Sequence, residues 1–311
     1  MFALRFADYG TPDVLTIDTD VPEPHPGPGE IRIAVRTAGL TPGDRYLRSG
    51  TLRHMIPLAL PHTTGVDGAG IVDEIGPGVT GVAVGDAVFG LVRRRELGGA
   101  TAEFAVLEHW APKPDAWDWA QAGGAAGNVE TATRVLGLLG VTPGATLLIE
   151  GAAGGVGSVA TQLARARGVA VIGTGGPHNQ GFLTDLGAIP TTYGPGLPDR
   201  VAALAPGGVD FVLDAAGSGS LPDLVTIAGT PDRVITVADF TAAEHGVHLS
   251  TSGGPNPDPV HAHGLTAAVA LAEEGRLRIP VHAVFPLAEA ARAHEVSESR
   301  RVRGKIVLSI P

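Results

Sequence analysis

The stretch Thr146-Leu147-Leu148-Ile149-Glu150-Gly151-Ala152-Ala153-Gly154-Gly155-Val156-Gly157 decides the fold of this chain. Its first five residues form a short, largely apolar run, which is typical of a buried parallel strand. Residues 156–167 follow with apolar side chains at helical spacing, and Gly168 supplies a helix stop. The stretch therefore predicts a strand, a tight glycine-rich turn and a helix in direct succession.

The glycines of this turn suit a phosphate-binding site. Gly154 would let the backbone approach a pyrophosphate, and Gly157 would permit close packing of the helix on the strand. The helix N-terminus would present its N–H groups and the positive end of its dipole to the phosphates. Ala152 stands where the first glycine of the usual fingerprint falls. A tight turn in a domain that binds no nucleotide is the alternative interpretation.

Strands and helices alternate around this turn, from about residue 118 onward. Further strands are predicted at residues 169–173, 191–193, 209–213, 233–237 and 247–250, with helices at 182–186 and near 200–204. Repeated β-α-β units imply a parallel sheet with right-handed crossovers.

The first third of the chain is β-rich instead. Residues 31–36 alternate with period two, as a half-buried strand does. Short strands are also predicted at 70–75, 87–89 and 102–107, which together indicate a compact, mainly antiparallel domain. Beyond Pro259 the pattern predicts a helix, a strand, a helix and a strand, at residues 264–274, 281–285, 287–298 and 304–308.

The composition excludes several kinds of site and partner. The chain has 311 residues, a formal net charge of -10 and no cysteine. The lack of cysteine removes disulfides, thiolate nucleophiles, iron–sulfur clusters and thiolate zinc sites. The acidic balance argues against nucleic acid as a partner. We find no signal-peptide pattern and no apolar run of about 18 residues, so we expect a soluble cytoplasmic protein with no membrane partner.

Five different short motifs are distributed along the chain. In order, they are Thr41-Pro42-Gly43-Asp44-Arg45-Tyr46-Leu47-Arg48-Ser49-Gly50, Gly65-Val66-Asp67-Gly68-Ala69-Gly70, Val84-Gly85-Asp86-Ala87-Val88-Phe89, the glycine turn, and Arg303-Gly304-Lys305-Ile306-Val307-Leu308. Together they resemble the zinc-free quinone oxidoreductase branch, which includes zeta-crystallin, of the medium-chain dehydrogenase/reductase superfamily.

The resemblance implies an α/β fold in two parts. Residues 1–117 and 259–311 would form a GroES-like, mainly β catalytic domain, and residues 118–258 a Rossmann domain with a doubly wound parallel sheet. The family's zinc-binding histidine falls at Val66, which cannot ligate a metal, so no metal site is expected. The histidines that could suggest one are interpreted as solvent-exposed or capping, namely His54, His62, His261 and His263.

The loop after the second Rossmann strand bears on the choice of cofactor. NAD-specific sites usually place an acid there to bond the ribose 2′-OH, and residues 173–180 contain none. This favours NADPH over NADH, with Thr174, His178 and Asn179 as the polar residues available to a 2′-phosphate. By resemblance, Tyr193 borders the adenine-side pocket, and ordinary strand packing is the alternative.

The resemblance implies further cofactor contacts elsewhere. Asn128 and Thr131 lie on the helix that enters the Rossmann domain, where relatives contact the nicotinamide region. Arg300 matches a C-terminal arginine that approaches the cofactor phosphates, and a solvated arginine is the alternative. The other expected contacts follow the carboxyl ends of strands and are Ala153, Gly154, Gly155, Val156, Ala216, Val237 and Asp239.

Without a metal to polarise a carbonyl, the favoured reaction is hydride transfer from NADPH to a substrate activated by conjugation, a quinone or an α,β-unsaturated carbonyl. The resemblance places the hydroxyls of Tyr46 and Thr41 in the cleft, where they would stabilise the developing negative charge or donate a proton. Asp44 would fix the loop. Tyr46 is alternatively a wall of the pocket.

Two other functions stay open. Enoyl-thioester reductases of the same superfamily commonly carry a tyrosine just after the Ser-Gly pair, where this chain has Leu52. A non-catalytic nucleotide-binding protein is the other possibility. Relatives often pair the edge strands of their Rossmann sheets, and the predicted strand 247–250 is a candidate edge, so a homodimer is expected.

Overall fold

The computed structural model describes residues 1–93 and 95–311. The chain divides into two compact units. Unit 1 consists of Met1–Glu130, Gly253–Asn256 and Ala262–Pro311, and unit 2 consists of Thr131–Ser252 and Pro257–His261. The division falls inside a continuous helix, whereas the sequence analysis placed it near residue 118. The change in composition at that point marks where helices begin to recur, and the first of these helices belong to unit 1.

The strands, in chain order, are β1 (Ala3–Phe6), β2 (Thr16–Asp18), β3 (Ile31–Leu40), β4 (His62–Thr63), β5 (Asp67–Ile75), β6 (Ala87–Val92), β7 (Phe104–Pro112), β8 (Thr146–Glu150), β9 (Ala170–Thr174), β10 (Ile189–Thr191), β11 (Phe211–Asp214), β12 (Val234–Thr236), β13 (His248–Leu249), β14 (Val281–Pro286) and β15 (Lys305–Ser309). The α-helices are α1 (Pro42–Arg48), α2 (Trp119–Gly123), α3 (Ala126–Leu138), α4 (Gly155–Ala166), α5 (Gln180–Asp185), α6 (Leu197–Leu204), α7 (Leu221–Ala228), α8 (His263–Glu273) and α9 (Ala290–Glu298). In the described part of the chain, no helix combines the length and the apolar character that crossing a bilayer requires.

Unit 2 is built on a parallel sheet with the strand order β10-β9-β8-β11-β12-β13. Numbered from β8, this is the order 3-2-1-4-5-6 of a doubly wound dinucleotide-binding sheet. The chain winds outward from β8 to β10 and then returns to β11 on the other side of β8. Ligands of such sheets bind outside the carboxyl ends of the two strands where the winding reverses, which here are β8 and β11.

The sequence explains why β8 and α4 form the centre of this unit. Leu147, Leu148 and Ile149 are fully buried in β8, and α4 buries every residue from Gly157 to Ala164. The left-handed Gly168, with a φ of 78°, lies just past the end of the helix. The predicted strand, turn and helix are therefore present within one residue of their expected bounds.

Unit 1 is mainly antiparallel. Its larger sheet has the order β14-β15-β3-β5-β6-β7. Because β3 also pairs with β7, the four strands β3, β5, β6 and β7 close into a barrel, and β15 and β14 extend the sheet beyond it. The pairing of β14 with β15 is parallel, whereas the other pairings in this sheet are antiparallel. Alternate residues of β3 fill the barrel, among them Ile31, Ile33 and Val35. A second sheet has the order β2-β1-β4.

Several elements differ from the sequence prediction. The strand predicted at 191–193 lies at Ile189–Thr191, which leaves Tyr193 outside it. The short strands β1, β2 and β4 were not predicted, and neither were α1 and α7, which each begin at a proline or one residue before it. Proline in the first helical turn is favourable because its missing N–H would have no partner there.

Candidate functional site

The glycine-rich turn lies at the carboxyl end of β8, in unit 2. Gly151 has a φ of 77°, where any other residue would be strained. A Cβ on Gly157 would lie 2.3 Å from the Gly151 oxygen and 2.7 Å from the Ala152 Cα, so only glycine lets α4 start this close to the strand. A Cβ on Gly154 would meet only the Gly151 oxygen, at 3.3 Å. Gly157 therefore serves packing, and Gly154 faces open space.

The first turn of α4 is suited to an anion. Gly154 is the N-cap residue, and no side chain caps the helix or places an acid in its first turn. The positive end of the helix dipole and the first N–H groups, those of Gly155 and Val156 among them, are therefore not neutralised by this chain's own side chains. Ala153 is buried directly before the N-cap.

Two side chains, those of Thr174 and Gln180, form hydrogen bonds around the end of β9. Thr174 is fully buried, and its hydroxyl accepts a hydrogen bond from the Gly151 N–H at 3.1 Å, so it supports the glycine turn from below. The Gln180 amide donates to the carbonyl oxygens of Gly175, Gly176 and Thr191. His178 is exposed and Asn179 is half-buried in the short 3₁₀ turn between them. Neither the role of Gln180 nor the supporting position of Thr174 was predicted from the sequence.

The ends of β11 and β12 form the other side of the winding reversal. Asp214 is fully buried, and its carboxylate accepts hydrogen bonds from the N–H groups of Ala216 and Gly217 and from the Thr236 hydroxyl. The Val237 N–H donates to the Asp214 carbonyl oxygen at 3.0 Å. Asp214 therefore fixes both loops that carry the predicted contacts Ala216 and Val237.

Asp239 follows in the loop after β12 and is buried. Its burial disfavours the charged form, but hydrogen bonds from the hydroxyl and the N–H of Thr241 outweigh that effect and lower the pKa of the carboxyl. Asp239 is consequently ionised at neutral pH, and the hydrogen bonds that it accepts from Thr241 stabilise the conformation of this loop.

Two predicted contacts are exposed. The Tyr193 side chain is 58% exposed, so the interpretation of this residue as ordinary strand packing is wrong. The Arg200 guanidinium holds its loop by donating to the carbonyl oxygens of Thr192, Tyr193, Gly194 and Pro195. Arg300 lies in unit 1, just past α9, exposed and with a φ of 57°.

In unit 1, Thr41 and Asp44 begin α1 as a capping box. The Thr41 N–H and hydroxyl both donate to Asp44 Oδ2, at 2.7 and 2.8 Å, and the Asp44 N–H donates back to the hydroxyl. Asp44 is buried, and its Oδ1 accepts from the Gly65 N–H at 3.2 Å. This carboxylate thus fixes α1, on which Tyr46 lies half-buried with the Arg45 guanidinium 5.8 Å from the centre of its ring.

Buried charged and polar side chains lie around α1. Arg48 is buried and forms an ion pair with Glu298 of α9. Burial lowers the pKa of His294, on the same helix, to about 4, and it lowers the pKa of His62 as well, although Asp44 opposes both shifts. Both imidazoles are therefore neutral at pH 7. The interpretation of His62 as an exposed or capping residue is wrong, because it packs edge-on against Phe6 in unit 1.

A buried ion pair anchors the start of α3. Asp67 is 0% exposed and Lys305 is 3% exposed, with Oδ1 and Nζ 3.7 Å apart. Asp67 Oδ2 accepts a hydrogen bond from the Gly127 N–H at 2.8 Å. One residue farther along α3, Asn128 is buried and donates to the Gly124 carbonyl oxygen. Both charged residues stand in motifs quoted above, but nothing in either motif indicates that they pair.

Thr131 is the first residue of unit 2 and is half-buried. Its hydroxyl accepts a hydrogen bond from Arg134 at 3.5 Å.

The predicted contacts are divided between the two units. Unit 2 brings eight of them together at the carboxyl edge of one sheet, namely Ala153, Gly154, Gly155, Val156, Thr174, Ala216, Val237 and Asp239. Four others belong to unit 1, namely Thr41, Tyr46, Asn128 and Arg300.

No group of three His, Cys, Asp or Glu side chains within residues 1–93 and 95–311 is arranged to hold a metal ion. Val66 is apolar, and His261 lies against Gly137 in unit 2. His263 is the first residue of α8.

Comparison with known proteins identifies the family. Residues 27–115 match the alcohol dehydrogenase GroES-like domain family, and residues 196–308 match the zinc-binding dehydrogenase family. The quinone oxidoreductase of Sus scrofa is 33% identical over 99% of this chain and 97% of its own length. The chain belongs to the medium-chain dehydrogenase/reductase superfamily. Within this superfamily it is quinone oxidoreductase-like, as the sequence motifs predict.

Solved structures of the superfamily share the whole fold. The quinone oxidoreductase of Coxiella burnetii has a TM-score of 0.84 at 28% identity, covering 100% of this chain and 99% of its own. A mycobacterial protein solved in complex with NADPH has a TM-score of 0.82 at 28% identity, with 100% of both chains covered. The predicted family, the predicted GroES-like and Rossmann fold and the oxidoreductase class are thereby confirmed.

Proposed function

We propose that this protein is a cytoplasmic, zinc-independent reductase that uses NADPH to transfer hydride to a quinone or an α,β-unsaturated carbonyl. The observation that carries the proposal is the uncapped glycine turn between β8 and α4, at the winding reversal of a doubly wound sheet. The NADPH complex of a 28% identical relative supports the choice of cofactor.

The residues of unit 2 fit a dinucleotide. Gly154 leaves the space that a Cβ would fill, and the start of α4 supplies N–H groups for a pyrophosphate. His178 and Asn179 would face the 2′-phosphate, and the exposed Tyr193 would border the adenine. When bound, NADPH supplies the hydride. Ala216, Val237 and Asp239 would shape the crevice, Asn128 and Thr131 would orient the nicotinamide, and Arg300 would approach the phosphates.

The hydroxyls of α1 would have different roles. The Thr41 hydroxyl already donates to Asp44, so giving its proton to a substrate would break the helix cap. We therefore assign Thr41 and Asp44 to fixing α1, and Tyr46 to stabilising the negative charge that develops on the substrate oxygen. A phenolic hydroxyl both donates and accepts hydrogen bonds, so we assign hydrogen bonding to the substrate oxygen as the main contribution of Tyr46.

Steady-state oxidation of NADPH tests the proposal. A quinone panel and an enone panel should support turnover in the presence of a metal chelator, and enoyl thioesters should support little. Turnover with thioesters alone would favour the enoyl-thioester reductase, and cofactor binding without turnover would leave a binding protein. Loss of activity in chelator, restored by zinc, would contradict the metal-free chemistry.

Replacing Tyr46 by phenylalanine is expected to lower kcat about 3- to 30-fold for quinones and more for enones, because a quinone accepts hydride with less help from a positioned hydroxyl. The matched control is Tyr9→Phe, which removes the same hydroxyl from a tyrosine that packs against Gly50. If Tyr46→Phe leaves kcat and KM unchanged for both substrate classes, Tyr46 is only a wall of the pocket.

Replacing His178 by aspartate should shift preference from NADPH toward NADH by about tenfold, because the new carboxylate would repel a 2′-phosphate and accept from a 2′-OH. The variant His178→Asn keeps the size of the new side chain without its charge. Dissociation constants from fluorescence titration measure the effect. Equal affinities for both cofactors before and after the change would contradict the assignment of this loop.

The edge strand β13 is proposed to pair with a second copy of the chain, which would make the protein a homodimer. β13 lies at the end of the strand order in unit 2, and an unpaired edge presents N–H and C=O groups to another strand. Light scattering at micromolar concentration should give twice the mass of one chain, and a monomer mass would count against the pairing.

A further inference from the structure

Glu150 is a buried acid at the point where a dinucleotide would bind. It is the last residue of β8, it directly precedes Gly151, and it is 2% exposed. In the parallel register of the sheet it is paired with Asp214, the last residue of β11. Two carboxyls therefore lie side by side at the winding reversal, where the negative phosphates of a dinucleotide are expected.

The two carboxyls are stabilised unequally. Asp214 accepts from two backbone N–H groups and one hydroxyl. Among the described residues, the donors to Glu150 are two hydroxyls, with Ser218 donating to Oε1 at 3.2 Å and Ser220 donating to Oε2. A hydroxyl can rotate and become an acceptor, whereas an N–H cannot. The surroundings of Glu150 therefore suit both the ionised and the protonated carboxyl. Asp214 is held by two N–H donors and by a Thr236 hydroxyl that already accepts from the N–H groups of Ala238 and Asp239, which favours the ionised carboxylate.

One serine of this network, Ser220, does not have the role that is usual for its position at the start of a helix. Ser220 occupies the N-cap position of α7, yet its hydroxyl does not cap that helix and bonds Glu150 instead. A serine at this position normally stabilises its own helix. The loop between β11 and α7 is thus tied to the end of β8 through Glu150, and in the same loop Ala216 packs against Gly151.

We propose that Glu150 is a positioning residue for the cofactor, and that binding of the dinucleotide pyrophosphate at the glycine turn is coupled to uptake of one proton from solvent by the Glu150 carboxylate. The protonated carboxyl keeps the loop tied through the serines but no longer repels the phosphates. This inference rests on the proposed binding of a nicotinamide dinucleotide.

The electrostatic surroundings agree with this assignment. Burial raises the pKa of Glu150, and the charges of Asp214 on β11 and Asp223 on α7 raise it further, while the hydroxyls of Ser220 and Ser218 lower it. The neighbouring strand β9 contributes the uncharged Thr174, and the first turn of α4 carries no acid. An ionised Glu150 would add repulsion toward a phosphate, so affinity should rise as the pH falls through the raised pKa.

The test is the affinity for NADH as a function of pH, from about pH 5 to about pH 8. NADH is used because it lacks the 2′-phosphate, which itself titrates at about pH 6. In the wild-type protein the affinity should strengthen about threefold to tenfold toward low pH, the size of one screened charge–charge interaction. Glu150→Gln, which mimics the neutral carboxyl, should bind tightly at every pH. Calorimetry in buffers of different ionisation enthalpy should show proton uptake in the wild type and none in this variant.

A second variant acts in the opposite direction. Ser220→Ala keeps the carboxyl but removes a hydroxyl that stabilises its ionised form, so the pH profile should move to higher pH. If Glu150→Gln does not fold, this shift decides the matter, and an unshifted profile overturns the proposal. Binding with the same pH profile in the wild type and in Glu150→Gln overturns it while leaving the proposed function intact. No binding of NADH or NADPH at any pH overturns both.

Discussion

Replacing Gly157 by alanine is expected to destabilise unit 2 by about 3 kcal/mol or more and to abolish cofactor binding. The added Cβ would lie 2.3 Å from the Gly151 oxygen and 2.7 Å from the Ala152 Cα. Both are backbone atoms of the turn, so no side-chain rotation can relieve the overlap. Either α4 moves away from β8 or the turn opens, and each response displaces the N–H groups at the start of the helix.

Two other glycines serve as matched controls in thermal unfolding and cofactor titration. Gly181 lies exposed in α5 with nothing within 4 Å of an added Cβ, so Gly181→Ala should stabilise by about 0.5–1 kcal/mol. Gly154→Ala has a favourable φ of -77° and a single neighbour at 3.3 Å. It should leave unfolding nearly unchanged yet weaken NADPH binding. Wild-type stability and affinity in Gly157→Ala would contradict this account of the turn.

Replacing Lys305 by methionine is expected to destabilise unit 1 by about 3–5 kcal/mol at neutral pH, because it leaves the Asp67 carboxylate buried without its counter-ion. Burial raises the pKa of Asp67, against the opposing influence of Lys305 and the Gly127 N–H. Without the lysine the pKa must rise further. The folded protein would then bind a proton that the unfolded chain releases, so the deficit should shrink as the pH falls.

Urea unfolding of unit 1 at several pH values measures this effect. The double variant Asp67→Asn/Lys305→Met removes both charges, while the amide oxygen still accepts from Gly127, so it should recover most of the lost stability. Arg292→Met breaks the exposed pair with Glu289 and should leave the unfolding midpoint unchanged. A deficit in Lys305→Met that does not depend on pH, or no recovery in the double variant, would mean that the ammonium contributes packing alone.

The features that the sequence predicted are local ones. The β8–turn–α4 unit was located within one residue because strand hydrophobicity, glycine geometry and helical spacing each act over a few neighbouring positions. The predicted roles of Gly154 and Gly157 depend on the same short-range geometry. The absence of an acid from residues 173–180 could also be predicted to favour NADPH, because this prediction depends only on which residues are present.

The features that the sequence could not predict depend on residues far apart in the chain. Asp67 meets Lys305 because β5 and β15 lie on either side of β3, and nothing in either motif specifies that order. His62 was interpreted as exposed because nothing near it in sequence reveals Phe6 as its neighbour. Thr174 was expected to face a ligand, but its hydroxyl accepts a hydrogen bond from Gly151, which follows the neighbouring strand β8. The hydrogen bond between Ser220 and Glu150 links the loop before α7 to the end of β8, and only the folded sheet brings these two segments together.

The place of β15 between β14 and β3 has a consequence for the order of synthesis. A ribosome releases residues 31–40 long before residues 305–309, yet β3 completes its hydrogen bonds only when β15 arrives. The sheet of unit 2 is encoded entirely within residues 146–249, so all of its strands can pair before β15 is synthesised. Unit 2 can therefore fold before unit 1, which begins at the N-terminus, is complete. For that time the nascent chain exposes the edge of β3 at residues 37–40, a surface available to chaperones or to a second nascent chain.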